Sequence, residues 1–192
     1  LIRMNNQDLT DEIDKWNTLF NSTATIDNSL YELAFFKIFI KFEKFLSECF
    51  ENYAIGNSST HGYCPTRRLS FDDLDHLNKV IKKENRSFVN HFEVIKSISD
   101  CFFLNNPFDI IKTDPTYSNI INQMKVIRDY IAHESSAART KYIQNVLNNR
   151  PFIEPYQHLL TIKRGTSKSF YTLYVDSILT ISNFIINTPI TP

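Results

Sequence analysis

Residues 29–56 read SLYELAFFKIFIKFEKFLSECFENYAIG, and apolar side chains recur in this stretch at intervals of three and four positions. That spacing places them on one face of an α-helix. Ser-Leu-Tyr-Glu at 29–32 has the form of a capping box at the start of the helix, and Gly56 ends the pattern. The stretch therefore predicts one helix of roughly 26 residues whose broad aromatic face belongs to the core of the protein.

Similar patterns predict helices along the rest of the chain. They cover residues 8–20, 70–84, 88–103, 115–133, 136–147 and 169–186. Pro151 and Pro155 are expected to interrupt regular structure before the last of these. No strand pattern competes, so the predicted fold class is all-α. The architecture is a helical bundle framed by two long helices, near 28–54 and 115–133.

Length and composition indicate the broad class of protein. A chain of 192 residues fits a single domain, with its core expected at about 25–186. Cys49, Cys64 and Cys101 are odd in number and include no Cys-x-x-Cys pair, so neither a disulfide framework nor a zinc site is indicated and a reducing cytoplasm is expected. The apolar stretches are shorter than a bilayer requires, so no membrane partner is expected.

The net charge is zero, but the charges are unevenly distributed along the sequence. Residues 121–170 contain eight Lys or Arg against three acids, whereas residues 1–120 contain 13 bases against 17 acids. A basic third of the chain can present a positive patch to phosphate groups even when the total charge is zero. A solvated helix face is the alternative interpretation, and charge alone leaves both open.

Most sequence signatures of catalysis are missing. The chain has no Gly-rich phosphate loop, no nucleophile elbow, no His-Glu-x-x-His zinc helix and no calcium loop. With three glycines in total, a nucleotide cradle built from glycine backbone is nearly excluded. We therefore expect no cofactor and no metal.

One segment does carry a recognisable arrangement. Residues 125–139 read KVIRDYIAHESSAAR, with Arg128 and His133 separated by four residues and Asp129 directly after the arginine. This segment resembles the HEPN superfamily, in which such a motif lies near the end of a long helix in a small α-bundle. The Ile-Ala-His-x-Ser-Ser sequence and the aromatic and acidic residues 42–50 are similar to the prokaryotic toxin and antiphage branch that includes RiboL-PSP-HEPN.

The resemblance implies a metal-independent endoribonuclease that acts at a composite cleft formed across a homodimer, as a toxin or antiphage effector. A histidine titrates near neutral pH and suits general acid/base catalysis, while an arginine offers a permanently charged fork for phosphate. We accordingly expect His133 as acid/base and Arg128 as phosphate clamp, with Asp129 orienting one of them across the dimer. A catalytically silent HEPN module for binding or dimerisation is the alternative. A plain helical adaptor is a third interpretation, which requires the motif to be buried in the core.

The spacing of the motif raises a geometric question. In an unbroken helix, positions five apart lie about 140° apart, so Arg128 and His133 do not share a face. Either the helix ends or bends near His133, or two copies of the motif meet across a dimer, as the resemblance implies. Lys125, Arg139 and Lys141 are expected to contact RNA phosphates, or else to be solvated. Asp129 has a local alternative partner in Lys125, four positions earlier.

Two further features limit the interpretation. Arg86 and His91 repeat the Arg-x4-His spacing, but Ser87 follows the arginine, and we regard this second match as coincidental. HEPN toxins that a nucleotidyltransferase silences commonly have Tyr two residues after the His, whereas this chain has Ser135. Ser135 or Tyr142 would have to be the modified residue, although a neutralising antitoxin or immunity protein of another kind is also a possible partner.

Overall fold

α-Helices are the only regular elements in the part of the chain described by the computed structural model, which covers residues 4–22, 25–81 and 91–187. The predicted all-α class is therefore confirmed. The described helices are α1 (Gln7–Ser22), α2 (Leu30–Ala54), α3 (Leu74–Ile81), α4 (His91–Phe102), α5 (Asp109–Lys112), α6 (Pro115–His133), α7 (Ser136–Asn145), α8 (Pro155–Leu160) and α9 (Phe170–Ile186). None of them is long and apolar enough to cross a bilayer.

α2 lies at the centre of the bundle and packs against six other helices: α1, α3, α4, α6, α8 and α9. Its aromatic face is buried as predicted, and the buried phenylalanines are Phe35, Phe39, Phe42, Phe45 and Phe50. Large aromatic side chains bury more apolar surface than any others, so this one face accounts for much of the hydrophobic stabilisation of the described bundle.

The start of α2 differs from the predicted capping box. Ser29 has helical backbone angles (φ −62°, ψ −22°) and its side chain makes no capping hydrogen bond. A capping box needs an extended residue at that position. The Glu32 carboxylate instead accepts a hydrogen bond from the backbone N–H of Tyr156, 2.9 Å away. The expected box is therefore wrong, because this glutamate joins α2 to α8.

The described core also extends further toward the N-terminus than the predicted 25–186. Leu9, Ile13 and Trp16 on α1 are buried in the same cluster as the α2 aromatics. Asn6 links the start of α1 to α9, since its Nδ2 donates to Ser182 Oγ at 3.1 Å.

Two predicted boundaries near Pro and Asp residues need correction. α3 begins at Leu74 rather than 70, because Phe71 turns into the core to stack on Phe102 (ring centroids 5.2 Å apart) and Asp73 accepts a hydrogen bond from the N–H of His76. Pro155 begins α8 instead of interrupting structure, since a proline fits the first turn of a helix. The short helix α5 was not predicted, and the predicted helix ends at 82–84 and 88–90 lie outside the described residues.

α6 spans the residues that the sequence predicts. The Asp114 carboxylate caps it by accepting from the N–H groups of Thr116 and Tyr117 at 2.9 and 3.2 Å, and Pro115 is its first residue. The helix ends at His133, because Glu134 adopts a left-handed conformation with φ 44°. α7 follows almost at once, so the Arg-x4-His segment ends at the corner between α6 and α7.

Candidate active site

Arg128 is held at the side of α6 that faces α2. Its Nη2 lies 2.5 Å from Glu43 Oε1 and its Nη1 lies 2.7 Å from Asp129 Oδ1. The guanidinium carbon is also 5.8 Å from the centre of the Phe39 ring, at cation–π distance. With a side chain only 21% exposed, the arginine is positioned by three groups rather than free in solvent.

The ionisation of Glu43 reflects this environment. Burial raises the pKa of the Glu43 carboxyl, while the neighbouring Arg128 guanidinium acts in the opposite direction and lowers it. Asp129 adds a second negative charge that raises the pKa of Glu43 further. Two carboxylates thus share one guanidinium, and Asp129 is the more exposed of the two, at 40% against 20%.

One nitrogen of Arg128 is unsatisfied. Its Nε is buried and has no hydrogen-bond partner among the residues that the structure describes. Buried donors in native proteins are almost always paired, so this orphaned group calls for an explanation. It lies on the side chain that the sequence selects as the phosphate clamp.

His133 has a very different environment. It is the last residue of α6, its side chain is exposed, and no hydrogen bond or ion pair to it occurs within the described ranges. The helix does end at His133, which is the first of the two ways in which Arg128 and His133 could come together. The left-handed turn follows His133, however, so it does not bring the imidazole toward Arg128, which lies about 140° around the helix.

The motif is therefore only partly buried, with Arg128 largely covered and His133 exposed. Within one chain, no contact joins Arg128 to His133 in the described part of the structure. The structure brings Arg128 and Asp129 together, and it keeps Arg128 and His133 apart, as expected for positions five apart on one helix.

Asp129 and Lys125 do not form the local pair that was considered as an alternative. Asp129 binds Arg128 in its own chain, so its orienting contact does not require a second copy. Lys125 instead forms an ion pair with Glu93 on α4, and its Nζ lies 5.5 Å from the centre of the Phe92 ring. Lys125 consequently has less freedom to bind phosphate than an unpaired surface lysine.

The two predicted RNA contacts on α7 differ in how they are held. The guanidinium of Arg139 lies 4.2 Å from the centre of the Phe152 ring, which packs edge-on against Tyr130 of α6 at 5.9 Å. This aromatic contact fixes Arg139 at the α6–α7 corner. Lys141 is exposed and forms no ion pair with any described residue.

Tyr142 is unsuitable as a site of modification. It is fully buried, and its ring stacks on Tyr130 with an interplanar angle of 4° and centroids 5.2 Å apart. Burial raises the pKa of its hydroxyl far above the usual value. The suggestion of Tyr142 as an alternative modification site is therefore wrong, whereas Ser135 is exposed, with its Oγ accepting from the N–H of Ala138 at 3.2 Å.

Sequence reasoning missed Glu43 and Phe39 as neighbours of Arg128. Both lie on α2, where Phe39 received no prediction of its own and Glu43 occurs inside the segment 42–50 quoted for its family resemblance. The register between α2 and α6 decides this contact, and periodicity within one helix does not report it.

Arg86 lies outside the described residues. Among those described, no three His, Cys, Asp or Glu side chains are grouped to hold a metal ion.

Comparisons with known proteins do not assign the chain. No protein-family model matches it, and neither a curated protein nor a solved structure matches it.

Proposed function

We propose that the protein is a HEPN-type endoribonuclease that cleaves RNA without a metal, at a composite site formed by two copies of the chain. The observation that carries the proposal is the half-buried Arg128, fixed by Glu43 and Asp129 and followed five positions later by an exposed His133. This combines a positioned cation with an accessible acid/base.

A second copy supplies what one chain lacks. Arg128 and His133 diverge around α6, so a phosphate held by one arginine meets the histidine of the other copy. The α2 flank beside Glu43 supports such pairing, because Leu33 and Ile40 lie on it one heptad apart and are 44% and 42% exposed. These exposed apolar side chains offer a surface that a two-fold dimer would cover.

The reaction needs only groups that the chain supplies. His133 takes the proton of the RNA 2′-hydroxyl as the 2′-oxygen bonds to the adjacent phosphorus. The bond from phosphorus to the 5′-oxygen breaks, and the same His133 passes its proton on to that oxygen. The products are a 2′,3′-cyclic phosphate and a 5′-hydroxyl, so no water or metal enters the first step.

Arg128 stabilises the negative charge that develops on the phosphate. Asp129, the more exposed partner, is the carboxylate that an incoming phosphate displaces. Glu43 and the Phe39 ring then keep the guanidinium in place. Preorganisation of this kind keeps the arginine from reorganising during the reaction.

RNA would extend from this site over the basic residues on α6 and α7. Arg139 and Lys141 contact the backbone phosphates, and Lys125 does so after exchange with its Glu93 partner. The cell would need to restrain such an activity, so a toxin or antiphage role in the cytoplasm implies a neutralising antitoxin or immunity protein. Ser135, exposed two residues after His133, is the accessible hydroxyl for a modifying partner.

A catalytically silent module for binding or dimerisation is the second candidate. It is favoured by one observation: both terminal nitrogens of Arg128 already bind carboxylates. In that case the network would stabilise the α2–α6 contact and the exposed Leu33 and Ile40 would still form the dimer interface.

The test is cleavage of a mixed RNA pool in excess EDTA by the parent, Arg128→Ala and His133→Ala proteins. Arg86→Ala/His91→Ala is a matched control, because it removes the same residue types at the same spacing. Cleavage by the parent and the control, loss in both motif variants and a 2′,3′-cyclic phosphate end support the proposal. Equal cleavage by all four proteins, or none by the parent dimer, contradicts it, and the second result favours the silent module.

A further inference from the structure

A cavity lies away from the Arg128 network, between the connection from α7 to α8, the helix α8, the turn at 161–170 and the start of α9. Its volume is about 630 Å³, within the range of small-molecule sites in proteins. Six apolar side chains form much of its lining: Val146, Leu147, Pro151, Ile153, Ile162 and Phe170.

Three cations surround this cavity. Arg150, Lys163 and Arg164 line it, no lining residue is acidic, and none of the three forms an ion pair with a described residue. The neighbouring Lys168 shows the contrast, since it pairs with Asp176 at 2.7 Å. Like charges gathered without counter-charges repel one another, and a bound anion would relieve that repulsion.

The turn that presents two of these cations is held by its own backbone. The N–H of Lys163 donates to the carbonyl of Lys168 at 3.0 Å, and the N–H of Phe170 donates to the carbonyl of Thr161 at 3.0 Å. Gly165 has φ +82°, a left-handed conformation that favours glycine, at the tip of the turn. Lys163 and Arg164 thus extend from a backbone that is already ordered.

An aromatic pair forms the inner wall. His158 is buried and stacks on Phe170 with ring centroids 4.3 Å apart, and its Nε2 lies 3.1 Å from the hydroxyl of Tyr174. Burial lowers the pKa of His158 to about 4, so its ring is neutral at physiological pH and contributes a polar aromatic surface without charge.

A second cavity of about 300 Å³ adjoins the first, because Lys163 and Phe170 line both. Its other polar lining comes from α6, where Thr116, Asn119 and Gln123 contribute side chains. We refer to these two adjoining cavities as the groove, and its lining includes apolar, cationic, amide and hydroxyl groups.

We propose that this groove is a nucleotide-binding site, in which the apolar and aromatic wall around Phe170 receives a base and Arg150, Lys163 and Arg164 bind the phosphate. Arginine and lysine recognise phosphate through charge-assisted hydrogen bonds, and bases stack on aromatic side chains irrespective of sequence. The site uses side chains instead of a glycine loop, which agrees with the scarcity of glycine. Asn148, Thr161 and Gln123 match the polar edges of a base or ribose better than they match an acyl chain.

The same chemistry occurs in a free nucleotide and in a nucleotide unit of an RNA strand. The site is distinct from Arg128 and His133, so its occupancy does not depend on RNA cleavage.

Titration calorimetry with 5′-AMP, adenosine, inorganic phosphate, an adenosine hexaribonucleotide and dodecanoate tests the site. The key variant is Arg150→Ala/Lys163→Ala/Arg164→Ala, all at exposed positions. Lys15→Ala/Lys44→Ala/Lys79→Ala removes the same charge elsewhere, at exposed lysines that do not line the groove. Arg128→Ala/His133→Ala separates this site from the proposed active site, and circular dichroism verifies folding.

We expect 5′-AMP or the hexaribonucleotide to bind the Arg128→Ala/His133→Ala protein, in which the proposed active site neither clamps nor cleaves RNA. The displaced-charge variant made in that background should bind the same ligand equally. The groove variant should lose affinity by about tenfold or more. Tighter binding of 5′-AMP identifies a free nucleotide as the ligand, and tighter binding of the hexaribonucleotide identifies RNA. The proposal is overturned if neither binds, if the two charge variants lose affinity equally, or if dodecanoate binds in preference to both nucleotides.

Discussion

Glu43 of α2 and Arg128 of α6 form a half-buried ion pair, with 2.5 Å between Oε1 and Nη2, across 85 positions of sequence. The pair joins the two long helices of the bundle at the residue that the Arg-x4-His motif selects. The Glu43 carboxylate therefore bears on two properties: the stability of the α2–α6 contact, and the position of Arg128 in the proposed reaction.

Neutralising Glu43 should not destabilise the fold. Burial raises the pKa of this carboxyl, so the folded protein binds a proton there more readily than the unfolded chain, and stability from this group increases as pH falls through the folded pKa. Glu43→Gln resembles the protonated form and keeps an acceptor for Arg128. We expect it to match or exceed the parent in free energy of unfolding at neutral pH.

The control is Glu43→Ala, which leaves Arg128 without a hydrogen-bond acceptor on α2 and should lower the free energy of unfolding by about 1–3 kcal/mol. Urea denaturation measures both variants. If Glu43→Gln lowers the free energy of unfolding as much as Glu43→Ala does, then the charge of Glu43 itself stabilises the α2–α6 contact.

Glu134→Gly should stabilise the corner after the motif. Glu134 ends α6 with φ 44°, a conformation that glycine adopts without strain. We expect a gain of about 0.5–1 kcal/mol in the free energy of unfolding. Glu134→Ala removes the same side chain but keeps the strain, so it should show no gain. An equal gain in both variants would attribute the effect to the lost charge.

Gly56→Ala should destabilise the C-terminal end of α2. Gly56 has φ +91°, and an added Cβ would lie 2.8 Å from the guanidinium of Arg67, which donates to the carbonyl of Ala54. We expect a loss of about 1–3 kcal/mol from backbone strain and this displaced contact. Gly165→Ala is the matched control, because its φ is +82° and no described atom lies within 4 Å of its added Cβ.

The difference between the two alanine variants in thermal or urea unfolding isolates the Arg67 contact. Equal losses would mean that strain alone determines the cost at Gly56.

His158 should make the fold sensitive to mild acid. Its folded pKa is lowered from 6.5 to about 4 by burial, so between these values the unfolded chain binds a proton that the folded chain does not. Stability from this group is present above the unfolded pKa and is lost as pH falls toward the folded one. From about pH 7 to about pH 5 the loss attributable to His158 is about 2 kcal/mol.

Urea unfolding of the parent and His158→Gln at both pH values checks this. The glutamine does not titrate and retains a partner for the Tyr174 hydroxyl. The variant should lose less stability than the parent on acidification. Identical losses would show that other groups produce the acid sensitivity.

The sequence predicted those parts of the fold that depend on local patterns. Repeated apolar spacing identified α2 and α6, and α6 starts where Asp114 and Pro115 supply a cap and a first helical residue. The end of α6 at His133 also matched. The local chemistry at these termini is strong enough that tertiary contacts do not override it.

Other features depend on contacts between distant segments. Glu32 would cap its own helix if the backbone N–H of Tyr156 did not compete for it. Pro155 is a different case, because local signals that the sequence analysis overlooked accompany it: a proline suits the first position of a helix, and Gln157 accepts a hydrogen bond from the N–H of Glu154 in a capping box. In the candidate site, the motif identified Arg128, Asp129 and His133. The contact of Glu43 with Arg128 depends on how α2 and α6 are aligned. The sequence around Glu43 does not distinguish it from an ordinary surface glutamate.

Complementation tests the composite site most directly. Arg128→Ala and His133→Ala chains carrying different affinity tags are co-expressed, and the heterodimer is isolated through both tags. In this heterodimer the His133→Ala chain supplies Arg128 and the Arg128→Ala chain supplies His133. A site shared between two copies therefore retains one intact arginine–histidine pair. We predict that it cleaves RNA in excess EDTA at about half the parent rate, while each homodimeric variant is inactive. A heterodimer as inactive as the single variants would contradict a site shared between two copies.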